Sequence, residues 1–257
     1  LLQWTVATKQ PAVTAPAMVA KLRDIKATGA VRRFVDEVAN LFRSQIAAIL
    51  GNVGMVVPTV LLISSLLWFL GGEAMIDADK ARHVLHDLHL LGPTALFAAF
   101  TGVLLFASSI IAGWVENWFV FHKLDSAIAH NPRFTRVLGR TRAARWAGFA
   151  RANVSGLAAN VSLGFMLGLV PVFAQFFGLG LDVRHVTLSA GQLAAAGFSL
   201  GLEVLREPAF WWAVAGVLVV GPLNLTVSFY LAFRLALRAQ ALSPGNRQLI
   251  RPAMRRR

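Results

Sequence analysis

The chain has no cysteine and a single tyrosine, and only 14% of its 257 residues are charged. The missing cysteine excludes a disulfide scaffold, and it leaves the redox compartment open because a membrane bundle needs no bridges. A soluble domain carries about 25% charged residues. The deficit, beside 56% hydrophobic residues and a mean hydropathy of +0.61, points to lipid. It excludes a soluble enzyme with one small core, and equally disorder and collagen. Acids are the scarcest charge, 12 against 25 basic residues, for a net +13. The first 30 residues lack the basic-then-apolar order of a signal peptide and do not begin with Met, so the chain reads as a piece of something longer.

What is present is long uncharged stretches. Residues 44–72, 88–115, 152–181 and 208–233 contain no Asp, Glu, Lys or Arg. Each exceeds the roughly 20 residues that a helix needs to cross about 30 Å of hydrocarbon, where an ion costs several kcal/mol. A fifth window, residues 186–202, is shorter and rich in Gly, Ser and Ala. Basic residues in the five segments outside the four long windows number 7, 2, 7, 2 and 7 in order, the alternation expected when basic segments stay inside. A fifth span would put the final seven arginines outside, so residues 186–202 read as a re-entrant or interfacial segment. The expected architecture is all-α: a polytopic bundle of the bacterial inner membrane, four transmembrane helices in two in-out-in hairpins, with amphipathic cytoplasmic helices and both ends cytoplasmic.

The organisation follows. Residues 1–45 form a cytoplasmic amphipathic segment, the end of a longer N-terminal region; 46–115 the first hairpin; 116–151 a basic cytoplasmic segment; 152–233 the second hairpin; 234–257 a basic tail. Val31, Phe34, Val35, Val38, Leu41 and Phe42 share one helical face. Gly29 separates that helix from residues 18–26, which follow a Pro/Thr/Ala linker at 11–16. After the second span, Trp118, Phe119, Phe121, Leu124 and Ile128 extend the helical pattern to Asn131-Pro132, where a residue before proline leaves the helical region. A faint internal echo hints at parallel duplication. Arg43 precedes Asn52 by nine residues and Arg151 precedes Asn160 by nine, each at the start of an inward-to-outward span; Gly92-Pro93 and Gly221-Pro222 fall in the second helix of each half.

Five amides lie inside the expected spans: Asn52, Asn153, Asn160, Gln175 and Asn224. They either line a polar path between helices or fix packing by interhelical hydrogen bonds, helped by small residues such as Gly51, Gly54, Ala158 and Gly164. No Asp, Glu, Lys or Arg lies within a span, which weakens a proton-coupled transporter. His83, His86 and His89 lie three apart, but on a helix the first and last would stand about 120° apart in projection, so no metal site is expected and no cofactor is implied. The densest basic cluster is Arg133, Arg136, Arg140, Arg142, Arg145 and Arg151, interleaved with Phe134, Trp146 and Phe149. Its sign and its place beside a span fit anionic headgroups of the bilayer; the phosphates of a nucleic acid are the competing partner. A homo-oligomer is compatible with everything above.

Four stretches together carry a family resemblance: Phe42-Arg43-Ser44-Gln45 through Gly51-Asn52-Val53-Gly54, Glu116-Asn117-Trp118 through His130-Asn131-Pro132, Asn153 through Asn160-Val161-Ser162-Leu163-Gly164, and Leu181-Asp182-Val183-Arg184-His185-Val186-Thr187. Over residues 41–238 the chain resembles the bacterial transmembrane family labelled site-specific recombinase (Gcr-like), whose members are longer at the N-terminal side. The label implies DNA strand exchange. The residues of this chain do not assemble that chemistry: the single tyrosine, Tyr230, falls inside the last span, and the twelve acids are scattered. No catalytic residue is therefore assigned. The alternative is a membrane scaffold or transport-related protein with a polar path between its helices.

Overall fold

The computed structural model describes residues 30–239. Among them the chain forms eight α-helices and one short 3-10 turn, with no strand. In chain order they are α1 (Ala30–Gly71), α2 (Ala78–Asp87), α3 (Thr94–Phe121), α4 (Leu124–His130), α5 (Pro132–Leu138), α6 (Arg140–Phe176), α7 (Val186–Leu200), the 3-10 turn Leu202–Arg206, and α8 (Pro208–Ala239). Four of these, α1, α3, α6 and α8, are long and apolar enough to cross a membrane. Large side chains such as Leu62, Phe69, Phe176 and Leu218 stand exposed on them. Such a surface is stable in lipid and a liability in water.

The central pair is α3 and α8, which run parallel and pack most closely. Gly102 makes that approach possible: a Cβ there would stand 2.7 Å from Cβ of Val227. At the outer end, the end of the acidic loops, a Cβ on Gly216 would meet the Leu88 carbonyl oxygen at 1.9 Å, and the Leu90 N–H donates to the Trp212 carbonyl nearby. The flanking helix α6 packs on α3, whereas in the outer half α7 stands between α1 and α8. At the opposite end, Val35, Val38, Leu41 and Phe42 of α1 close against Leu225, Phe229 and Phe233 of α8. The amphipathic face expected at the start of the chain is thus the inner part of a continuous 42-residue helix.

The short helix α7 is neither a full crossing nor a surface helix. Its last turn lies at the outer end, where the Ser199 hydroxyl donates to the Ile76 carbonyl. Its first residue, Val186, packs among Ala98, Val220, Ile49 and Val53. Val220 lies twelve residues beyond Pro208, about 18 Å along α8 at about 1.5 Å per residue. The chain therefore descends through residues 177–185 to the middle of the bundle and returns as α7.

Three local expectations need correction. The helix after the second span does not continue to Asn131: α3 ends at Phe121, Lys123 turns left-handed (φ 50°), and α4 starts afresh. Asn131 does end α4, and it caps α5 by accepting from the Arg133 N–H. Gly92-Pro93 lies in the turn before α3, whereas Pro222 sits well inside α8, so that part of the internal echo fails. Gly51, Gly54 and Gly164 are not packing glycines, because an added Cβ at each meets nothing within 4 Å. The linker at 11–16, the helix at 18–26 and the last arginines lie outside the described residues.

Candidate functional site

Between α1 and α6, which have no packed interface, a cleft of about 720 Å³ opens in the inner half of the bundle. Its back wall is α3 and α8, and its outer limit is the first turn of α7. Asn52 enters from α1, Asn160 from α6 and Asn224 from α8, so three of the five sequence-predicted amides converge on one space. Asn52 shares its face with Gln45, Ala48 and Ile49, the three- and four-residue spacing that keeps a helical stripe together. Gly164 and Gly168 keep the opposite wall low, since neither would touch a neighbour if it carried a Cβ.

The other two amides lie elsewhere. Asn153 spends its side chain on its own helix, donating to the Phe149 carbonyl at 2.8 Å. Gln175 is exposed and lines a separate outer pocket with His86, His89 and Arg184. Ser108, Ser109 and Ser228 also face the cleft, but their hydroxyls donate to carbonyls of their own helices. Asn224 differs from all of these. It is 3% exposed, and neither its Nδ2 nor its Oδ1 has a hydrogen-bond partner. Leaving such a group unmade in a protein interior costs about 1–3 kcal/mol.

Sequence reasoning missed how the segment before α7 is anchored. Arg184, counted among the basic residues outside the long windows, is buried at 7% exposure. Its guanidinium pairs with Asp182, reaches the Asp87 and Val183 carbonyls and lies 5.5 Å from the Phe97 ring centre. Its backbone N–H donates to the Thr101 hydroxyl at 2.8 Å. Together these contacts pin the descending segment to α2 and α3 and deliver His185, Thr187 and Leu188 to the cleft. The available signal was the pairing of Asp182 with Arg184 immediately before an apolar, Gly/Ser/Ala-rich run.

The sequence profile of a family described as site-specific recombinase matches residues 1–257. The chain belongs to that family. No curated protein and no solved structure matches it. In this member of the site-specific recombinase family, Tyr230 is exposed on α8, within a membrane-length apolar helix. Among the described residues no group of His, Asp and Glu is arranged to hold a metal. The three histidines also part company: the His89 ring stacks on Trp212, and its Nδ1 accepts from the Leu91 N–H.

The arginine cluster lies at the inner end, on α5 and the first turns of α6. Arg133, Arg136, Arg140, Arg142 and Arg145 are exposed, and so are Trp146 and Phe149, whose rings meet edge to face. Ala143 and Ala147 are the buried residues of that stretch of α6. Arg151 is set apart, because it bonds the Asp125 carboxylate at 2.8 Å and so ties α4 to α6. The Ser126 backbone N–H and then this guanidinium hold the Asp125 carboxyl below the usual carboxylate range.

Proposed function

We propose that this protein is an inner-membrane binding protein of a transport-related kind, whose cleft between α1 and α6 takes a small polar or amphiphilic molecule. The observation that carries the reading is the convergence of Asn52, Asn160 and Asn224 on one space inside the apolar part of the bundle. Polar side chains are costly there unless they pair with one another or with something that enters. The glycines beside them leave room for a ligand where packing would have filled it. In this reading the descending segment and α7 form a re-entrant element in the membrane, as broken helices do in transporters. Both ends of the chain are cytoplasmic, and the exposed arginines of α5 and α6 rest on anionic headgroups. DNA recombination, which the family label names, has no support from the cleft.

The natural absence of cysteine makes a direct test available. Asn160→Cys should react with a small membrane-impermeant thiol reagent applied from the cytoplasmic side. Leu218→Cys, on the exposed apolar surface of α8, should stay inert. Adding Gly168→Phe should protect Asn160→Cys without changing expression. Equal inertness of the two cysteines would sink the reading, because the cleft would then hold only hydrocarbon.

A further inference from the structure

The cleft has a sign as well as a shape. Its polar lining comprises amides, hydroxyls and one imidazole, with no carboxylate, lysine or arginine among the residues around it. The strongest fixed field there is the N-terminus of α7, a helix of 15 residues. His185 is extended at the N-cap (φ −99°, ψ 128°) and gives no side-chain cap. The first backbone bond of the helix runs from the Ser189 N–H to the His185 carbonyl. The N–H groups of Val186, Thr187 and Leu188 therefore point out of the helix end with no intrahelical acceptor. Such an end carries roughly half a positive charge. The turn borders the cleft at mid-bundle, so those donors face whatever enters it.

A second, independent observation borders the same cleft. Asn224 is buried, its amide has no partner at either atom, and it lines the same space as the α7 turn. We propose that these two features form one site for an anionic oxygen group, a carboxylate or a phosphate, held by the first-turn N–H groups of α7 and the Asn224 side-chain NH2. The assignment rests on the cleft reading above and names the chemistry of what enters it. A cation is disfavoured, because the helix end repels it and no carboxylate faces it. Oriented N–H groups at a helix start are a general solution for anions. The anion has two sources, a lipid headgroup entering sideways between α1 and α6 or a solute arriving from the cytoplasm.

The test uses the whole protein, purified in a neutral detergent, with Arg136→Gln, Arg140→Gln and Arg142→Gln introduced to remove competing surface arginines. Native mass spectrometry compares dioleoyl phosphatidic acid with dioleoylglycerol, which has the same chains and no charge. Thermal shift follows inorganic phosphate and acetate. Phosphatidic acid should bind about tenfold more tightly than dioleoylglycerol if the source is lipid, and phosphate or acetate should raise the melting temperature if it is a solute. Asn224→Asp, which keeps the shape and adds a negative charge, should abolish the preference. Val186→Pro removes one N–H at a position whose preceding residue is already extended, so the helix start survives; it should weaken anion binding severalfold. That variant carries the test if Asn224→Asp does not fold. Lack of any preference for the charged probes, or a preference unchanged in a folded variant, overturns the anion assignment. If neutral and anionic lipids both bind and both are lost on Gly168→Phe, the cleft reading stands while the anion assignment falls. If Gly168→Phe leaves all binding intact, the cleft itself is not the site.

Discussion

Glycine does opposite things at two positions in this protein, and substitution separates them. Gly216 lets the Leu88 carbonyl come so close that a Cβ would lie 1.9 Å from its oxygen. That atom belongs to backbone, which cannot swing aside as a flexible side chain would. Gly216→Ala should therefore cost about 1–3 kcal/mol by forcing α2 away from α8. Gly164 faces the open cleft with nothing within 4 Å. Gly164→Ala should leave stability unchanged or raise it slightly, through better helix propensity. Reversible unfolding in mixed micelles measures both, and equal losses at the two sites would contradict the packing described. The same contrast separates the amides. Asn153 has its partner on its own helix, while Asn224 has none. Sequence identifies both as amides in apolar surroundings, but only the helix phase tells which of them is buried.

At the scale of elements, the spans were legible and the pieces between them were not. Charge-free windows mark α1, α3, α6 and α8 because the cost of an ion in hydrocarbon is local and can be read residue by residue. The break at Lys123 left no such mark: Trp118 to Ile128 keeps its apolar pattern through a left-handed residue that is not glycine. The path of α7 was also hidden, since it depends on Arg184 reaching the Asp87 carbonyl, 97 positions earlier in the chain. Sequence left re-entrant and interfacial placements open for that stretch, and the described contacts put its start at mid-bundle. The arginine-bearing elements α5 and α6 allow a sharp test of partner. On DNA, five exposed arginines would make log affinity fall with log salt at about 0.9 per phosphate neutralised, and Arg136→Gln, Arg140→Gln, Arg142→Gln would flatten that slope by about three such units. Against anionic vesicles the same triple change should weaken binding while the wild-type protein shows no saturable duplex binding near physiological salt. A competitor-resistant duplex footprint lost in the triple variant would reassign the surface to nucleic acid.

For the whole molecule, orientation is the property most open to measurement. The outer ends of the four long helices carry the acidic loops, and the inner ends carry most of the arginines. Single cysteines in place of Asp79 and Leu179 should be labelled only from outside the cell membrane, and those in place of Arg140 and Arg238 only after it is opened. All four positions are exposed, so failure to label cannot be blamed on burial. Labelling of Arg238→Cys from outside would overturn the four-span arrangement. The wedge position of α7 has one more consequence, for how the protein is made. Its walls are α1, α2 and α8, and the last of these follows it in the chain. When residues 186–200 leave the ribosome, one side of their seat does not yet exist. A helix of 15 residues is too short to cross the bilayer alone, at about 1.5 Å per residue. The translocon therefore has nothing to release sideways at that moment. The segment must wait at the outer surface until Pro208–Ala239 has been integrated, and only then can it sink beside that helix. The cleft is on this account completed only with α8, and a chain cut short before α8 would carry three of its five walls, α1, α3 and α6, and no closed site.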